Sequence, residues 1–170
     1  MIIDVRNNGG GSIANIARIA SRFTDVEIVG AKSQYRNGPD QADFSELEDL
    51  MLTPYDNGID DEESVRFTKP VMLLTNRSCY SATTFFTTYM RNLPHVTTVG
   101  DWTGGGGGAP AFTELANGWN LRASNTALFT PDGFNVEHGV PVDVPIDMDE
   151  TDVDNGMDTI LEKALELIRG

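Results

Sequence analysis

The sequence is short of the residue types from which many active sites are built. Its 170 residues include one cysteine, Cys79, which excludes an internal disulfide and a cysteine-based zinc site. Its only histidines are His95 and His138, and its only lysines are Lys32, Lys69 and Lys163, so a general base has few carriers. Positive charge is scarce too: Lys and Arg number 12 against 26 Asp and Glu, a net charge of -14. That balance argues against a protein that tracks nucleic-acid phosphates or an anionic membrane surface. No apolar run reaches the roughly 18 residues that a membrane-spanning helix needs. A hydrophobic content of 39% is nevertheless enough to argue against wholesale disorder and for one domain with a real core, residues 1–170.

Residues Met1 to Arg6 read at once as a buried strand, with no leader before it. A domain that opens inside a core strand suggests a portion of something longer. Asn7-Asn8-Gly9-Gly10-Gly11 then makes a turn, Ser12 is a good helix N-cap, and Ile13, Ile16, Ala17 and Ala20 recur at helical spacing. A short strand follows over Val26 to Val29. From about Asn37 to Ser64 the pattern weakens and reads as an insertion or lid, with a short helix expected over Phe44 to Leu52 and a solvated acidic run, Asp60 to Glu63.

The core resumes with Val71 to Thr75, a continuous apolar strand of the kind buried on both faces of a parallel sheet. After a turn, a helix is expected over Ser81 to Asn92, then a strand over Val96 to Val99 and five glycines, Gly104 to Gly108. The period then changes to two over Phe112 to Leu115, Trp119 to Ala123 and Ala127 to Thr130, and an amphipathic helix closes the chain from Asp158 to Arg169. The class is α/β with a β-rich C-terminal section.

Two local arrangements could carry chemistry. In the first, Ser81 starts a helix immediately after a strand and tight turn. A hydroxyl there lies near unpaired backbone N–H groups and the positive end of the helix dipole, which suits a serine nucleophile beside oxyanion donors. Ser78 or Ser81 could equally do no more than cap the helix, the commonest task of such serines. In the second, the turn Asn7 to Gly11 could cradle a phosphate or donate an N–H to an oxyanion, but the Walker lysine and G-x-G-x-x-G are both missing. Glu150 to Asn155 alternates acids like the start of a calcium loop yet lacks that loop's glycine and its bidentate glutamate, so no metal site is read there.

Five segments in order, Ile3 to Gly11, Asn76 to Phe85, Thr98 to Gly105, Leu115 to Leu121 and Asp132 to Asp143, together resemble the S41 serine peptidases, the family of the C-terminal (tail-specific) processing proteases and tricorn core peptidases. Ile3 to Gly11 (IDVRNNGGG) resembles the family's D-x-R-x-N-x-G-G; Asn76 to Phe85 (NRSCYSATTF) its nucleophile segment; Thr98 to Gly105 its V-V-G-E-x-T-x-G element. Leu115 to Leu121 (LANGWNL) and Asp132 to Asp143 resemble the two that follow, so the likeness covers about residues 2–147.

The resemblance implies a ClpP/crotonase-like spiral of ββα units and a serine endopeptidase without cofactor. Ser81 matches the nucleophile, because Ala82 follows it. The Ala82 N–H and one from the glycine turn, Gly10 or Gly11, would form the oxyanion hole. Glu137 matches the glutamate that orients a histidine in the tricorn-like branch. An extended peptide or protein substrate would lie against Gly104, Gly105 and Gly106, a homo-oligomer is allowed, and export or a periplasmic location is common in the family.

The departures concern the base. The tail-specific branch keeps a lysine where Gly106 falls here, and the family glutamate three residues after the nucleophile is Thr84. The tricorn-like histidine lies upstream of the first element, in the N-terminal portion this sequence lacks. His138, beside Glu137, is the weak local candidate. A non-catalytic peptide-binding member, or an acyl-CoA enzyme of the crotonase type, is the alternative.

Overall fold

The computed structural model describes residues 1–56 and 66–170. The acidic run Asp60 to Glu63 lies outside the described residues.

Four strands form a parallel sheet: β1 (Ile2–Asp4), β4 (Val71–Thr75), β5 (Val96–Gly100) and β9 (Val144–Pro145), in the spatial order β1-β4-β5-β9. All five residues of β4 are buried, as expected of a central parallel strand with both faces covered. Alternation along β1 decides which side chain meets which layer. Ile3 and Val5 pack on the larger core with the helices α1 (Ile13–Ala20) and α2 (Ala82–Arg91), whereas Ile2 joins Met72, Leu74 and Val99 under the C-terminal helix. That last helix, Thr159–Arg169, presents Ile160 and Ala164 to the sheet. A short helix, Glu150–Asp154, capped by the Asp149 carboxylate, occupies the acidic lead-in before it.

A second, antiparallel sheet has the order β3-β2-β8, from Glu48–Leu52, Ile28–Tyr35 and Thr126–Phe129. The hairpin of β6 (Pro110–Glu114) and β7 (Asn120–Ser124) stands apart from both sheets. Residues 48–52 therefore form a strand where the sequence suggests a helix. Leu50 and Leu52, two apart, turn toward the core while Glu48 is exposed, and β2 supplies the hydrogen-bonding edge that a local pattern cannot show. The strand expected at Val26 to Val29 runs instead from Ile28 to Tyr35, held on both sides by β3 and β8. Among the described residues no helix is long and apolar enough to cross a membrane.

Candidate active site

The loops that leave the C-terminal ends of β1, β4 and β5 converge, and side-chain amides lace the first two together. The Asn7 N–H donates to Asn76 Oδ1 at 3.0 Å, and Asn76 Nδ2 donates to Asn7 Oδ1 at 3.0 Å. Asn7 has φ +62, a left-handed conformation that asparagine tolerates better than most residues. Next along the chain, the Tyr80 N–H donates to the Asn8 carbonyl at 3.1 Å. Cys79 is buried beneath this junction, donating from Sγ to the Val5 carbonyl at 3.0 Å. Burial pushes its thiol pKa up, so it is a packing residue rather than a thiolate nucleophile.

These contacts set the backbone of Ser81, which has φ +56 and ψ -120. A non-glycine residue in that region is strained by about 1–3 kcal/mol. Ser81 stands at the N-cap position of α2 but makes no side-chain capping bond, unlike Asp158, whose carboxylate caps the last helix through the Leu161 N–H. Its own N–H donates to the Gly105 carbonyl at 2.9 Å. The strain thus holds a half-buried hydroxyl away from the helix end that it would ordinarily cap. Ser78 is exposed in the preceding turn, where its N–H donates to Asn76 Oδ1.

The glycine turn lies directly against this residue. A Cβ on Gly10, at φ +106, would stand 2.9 Å from Ser81 Cβ and 3.0 Å from the Ala82 nitrogen. The structure therefore brings Gly10, Ser81 and Ala82 together. The Gly10 N–H donates to Asn8 Oδ1 at 3.0 Å. The Ala82 N–H, in the first turn of α2, has no hydrogen-bond partner among the described residues. Gly11 is exposed beside it.

The five-glycine run bridges Ser81 to Glu137. The Gly105 carbonyl takes the Ser81 N–H, and the Gly106 N–H donates to the Glu137 carbonyl at 3.1 Å. Side chains have no room there: a Cβ on Gly105 would meet the Glu137 carbonyl, and one on Gly106 the Tyr80 ring. Glu137 sits in a 3-10 turn, Val136–His138, whose start is capped by Asn135 Oδ1. Both Glu137 and His138 are exposed, and the His138 carbonyl accepts from Arg77, 3.3 Å away. No hydrogen bond joins either side chain to Ser81 among the described residues. His95 precedes β5 at the opposite end of the sheet; Val96 pairs with Val71 and Gly100 with Thr75, placing about 16 Å of strand between it and the Ser81 loop. Strand β5 pairs with β4 along its length and with β9 at Val99 and Gly100, and Asp143 Oδ2 takes the Thr98 N–H at 2.9 Å, so the part of β5 nearest the glycine run is already paired on both sides.

A buried hydroxyl network escapes any reading of the sequence. Thr84, fully buried, donates from Oγ1 to the Gly105 carbonyl at 2.7 Å and lies 3.1 Å from Thr103 Oγ1, which accepts the Val140 N–H at 3.0 Å. Nothing in the local pattern separates Thr84 from the neighbouring threonines of α2. Thr84→Val keeps the volume and leaves Gly105 and Thr103 one partner each. We expect a loss of about 1–2 kcal/mol, read as a lower urea midpoint with unchanged slope; an unshifted midpoint would show that the network is idle.

Arg6 anchors the same loops to the last helix. Its guanidinium donates to Asp4 at 2.7 Å and to Asp158 at 2.6 Å. These bonds hold both carboxyl groups below the usual aspartate range. A depressed folded-state pKa means stability that is present above the unfolded pKa, near 4, and lost as pH falls through the folded value. Asp158→Asn keeps a capping side chain but removes one of these protons from the balance. The wild type should therefore lose more stability than Asp158→Asn between pH 5 and pH 2.5 in parallel denaturant titrations; equal losses would contradict this.

Comparison with known proteins now gives this geometry a family. A profile of Peptidase family S41 matches residues 1–146, and the chain belongs to that family. A solved structure from Parabacteroides merdae, itself only provisionally assigned as a peptidase, is 40% identical and superposes with a TM-score of 0.90 over 99% of this chain and 51% of its own. The tricorn protease (22% identity, TM-score 0.60, 98% of this chain and 14% of that one) shares the fold. So does the photosystem II D1 C-terminal processing protease (22% identity, TM-score 0.63, 86% and 34%). The chain thus spans about half the length of the first of these relatives and less of the others. A search of curated proteins finds no match.

Proposed function

We propose that the chain carries the nucleophile and oxyanion hole of a serine endopeptidase of the S41 type, on a ClpP/crotonase-like spiral. The observation that carries the reading is Ser81: a strained, uncapping serine at a helix start, pressed against a glycine turn. In this reading Ser81 Oγ attacks the peptide carbonyl carbon and its proton passes to a base. The carbonyl oxygen becomes an oxyanion between the Ala82 N–H and an N–H of Gly10 or Gly11. Collapse expels the amine, which takes up the proton, and water then hydrolyses the acyl-serine. For Gly10 to donate, its N–H must leave Asn8 Oδ1.

Glu137 would orient a histidine supplied from outside these residues, with His138 the local substitute. Of Gly104, Gly105 and Gly106, the first and last are half-buried and Gly105 is buried, so Gly104 and Gly106 are the part a bound peptide could reach. Export by analogy with the family belongs to the same proposal. The test is a stoichiometric burst with p-nitrophenyl acetate: one equivalent of nitrophenolate and an acetyl group on Ser81. No burst from the folded chain, or acetylation elsewhere, counts against it.

One observation favours a second reading, a peptide-binding domain without catalysis. Among the described residues no base is hydrogen-bonded to Ser81, and Asn8 occupies the Gly10 N–H. Saturable peptide binding with no acylation, even at high pH, would favour it.

A further inference from the structure

The hairpin of β6 and β7 belongs to neither larger sheet, and every residue of β7 is exposed. Its register sorts the side chains, because residues directly opposite on an antiparallel pair share a face and the faces alternate along each strand. Ala111 pairs with Ala123 and Thr113 with Leu121. Where the ladder runs into its turn, the Leu115 N–H donates to the Trp119 carbonyl at 2.7 Å. Those six residues lie on one face. Phe112 pairs with Arg122 and Glu114 with Asn120 on the other, where the Arg122 guanidinium lies 5.6 Å from the centre of the Phe112 ring.

The first face is apolar yet open to water: Trp119 is 72% exposed, Leu121 52% and Leu115 41%. A two-stranded hairpin is only marginally stable by itself in water and gains from packing its apolar face on something. Contiguous apolar surface of this kind marks an interaction site. Charge narrows the partner. From Trp102 to Pro131 the only ionisable side chains are Glu114 and Arg122, which cancel, in a chain of net charge -14. Both sit on the opposite face, so the apolar face carries no charge.

We propose that this face packs against the same face of a second copy of the chain, forming a two-fold symmetric dimer. A basic partner drawn to the acidic chain would find no carboxylate here to pair with, and an acidic one would be repelled by the rest of the surface. A second copy brings an uncharged apolar face in return. The face is also self-complementary in size: Leu115 and Trp119 are large and stand at the turn, whereas Ala111 and Ala123 are small and stand at the root. An antiparallel two-fold lays the large side chains of one hairpin over the small ones of the other, with Leu121 near the axis. Such a contact uses the same patch on both copies, so assembly stops at two. Six side chains fall short of the roughly 20–30 residues a side of a standard interface, so the dimer should be weak, with a Kd of about 10–100 μM.

Sedimentation equilibrium on the chain, from about 5 to about 500 μM, should show monomer and dimer exchanging within that range. High salt should tighten the dimer several-fold, because it screens the repulsion between two chains of net charge -14 and the contact has no ion pair to lose. Two neighbouring substitutions then place the same new charge on opposite faces. Leu121→Asp buries a carboxylate in the contact and should weaken the dimer about tenfold or more. Asn120→Asp points the other way and should change Kd by about twofold or less in high salt. Both positions are exposed, so Tm should not fall in either variant. A chain that stays monomeric up to about 500 μM in high salt overturns the proposal, as does a dimer that both substitutions weaken equally. So does a monomer whose tryptophan emission shifts to the blue on phosphatidylcholine vesicles, which would make the face a lipid anchor. None of these results depends on whether Ser81 acylates.

Discussion

Gly105→Ala should be among the most damaging single-methyl additions in the chain. Gly105 has φ +85, where alanine is disfavoured by about 1–2 kcal/mol, and its new Cβ would lie on the Glu137 carbonyl. Forcing that carbonyl aside adds an overpacking cost of about 1–3 kcal/mol. The residue cannot simply move, because its own carbonyl holds the Ser81 N–H and the Thr84 hydroxyl. A total of roughly 2–5 kcal/mol corresponds to a fall in Tm of about 5–15 °C for a domain of this size. Two other glycines serve as controls. Gly118→Ala shares a positive φ of 80 but meets no atom, and should cost only about 1 kcal/mol; Gly9→Ala has neither problem and should be close to neutral. If Gly105→Ala is no worse than Gly118→Ala by calorimetry, the run is not the packed bridge described above.

Ser81→Gly should move stability and reactivity in opposite directions. Glycine adopts φ +56 without the penalty that serine bears, and Ser81 makes no capping bond to lose. The variant should therefore be about 1 kcal/mol more stable than the wild type, even though glycine usually weakens a helix start, while losing all covalent chemistry at this position. A serine kept only for capping would give the reverse, a destabilised variant. Ser81→Ala, which keeps the strain and removes the hydroxyl, should lose reactivity without the gain in stability.

Part of this architecture is legible in the residues. Val71 to Thr75 is apolar throughout and forms the central strand, and the helix after it is one residue shorter at each end than the pattern suggests. The five elements that resemble the S41 family span about the same stretch as the family match over residues 1–146. What was hidden depends on partners distant in sequence. Glu48 to Leu52 becomes a strand only because β2 lies beside it. Arg6 meets Asp158, 152 residues away, and the reciprocal amide pair of Asn7 and Asn76 exists only once β1 and β4 are side by side. The positive φ of Ser81 is likewise invisible locally, since it is imposed by bonds to Gly105 and by contact with Gly10.

The central claim is that Ser81 is a nucleophile beside the unpartnered Ala82 N–H, with no base in contact among the described residues. A fluorophosphonate probe tests it most directly, applied to the folded chain with and without added imidazole and mapped by peptide mass spectrometry. The predicted result is a single adduct on Ser81, slow alone, faster with imidazole as a substitute base, and absent from Ser81→Ala. An adduct that forms equally in Ser81→Ala, or no adduct on a folded chain even with imidazole, would contradict the account.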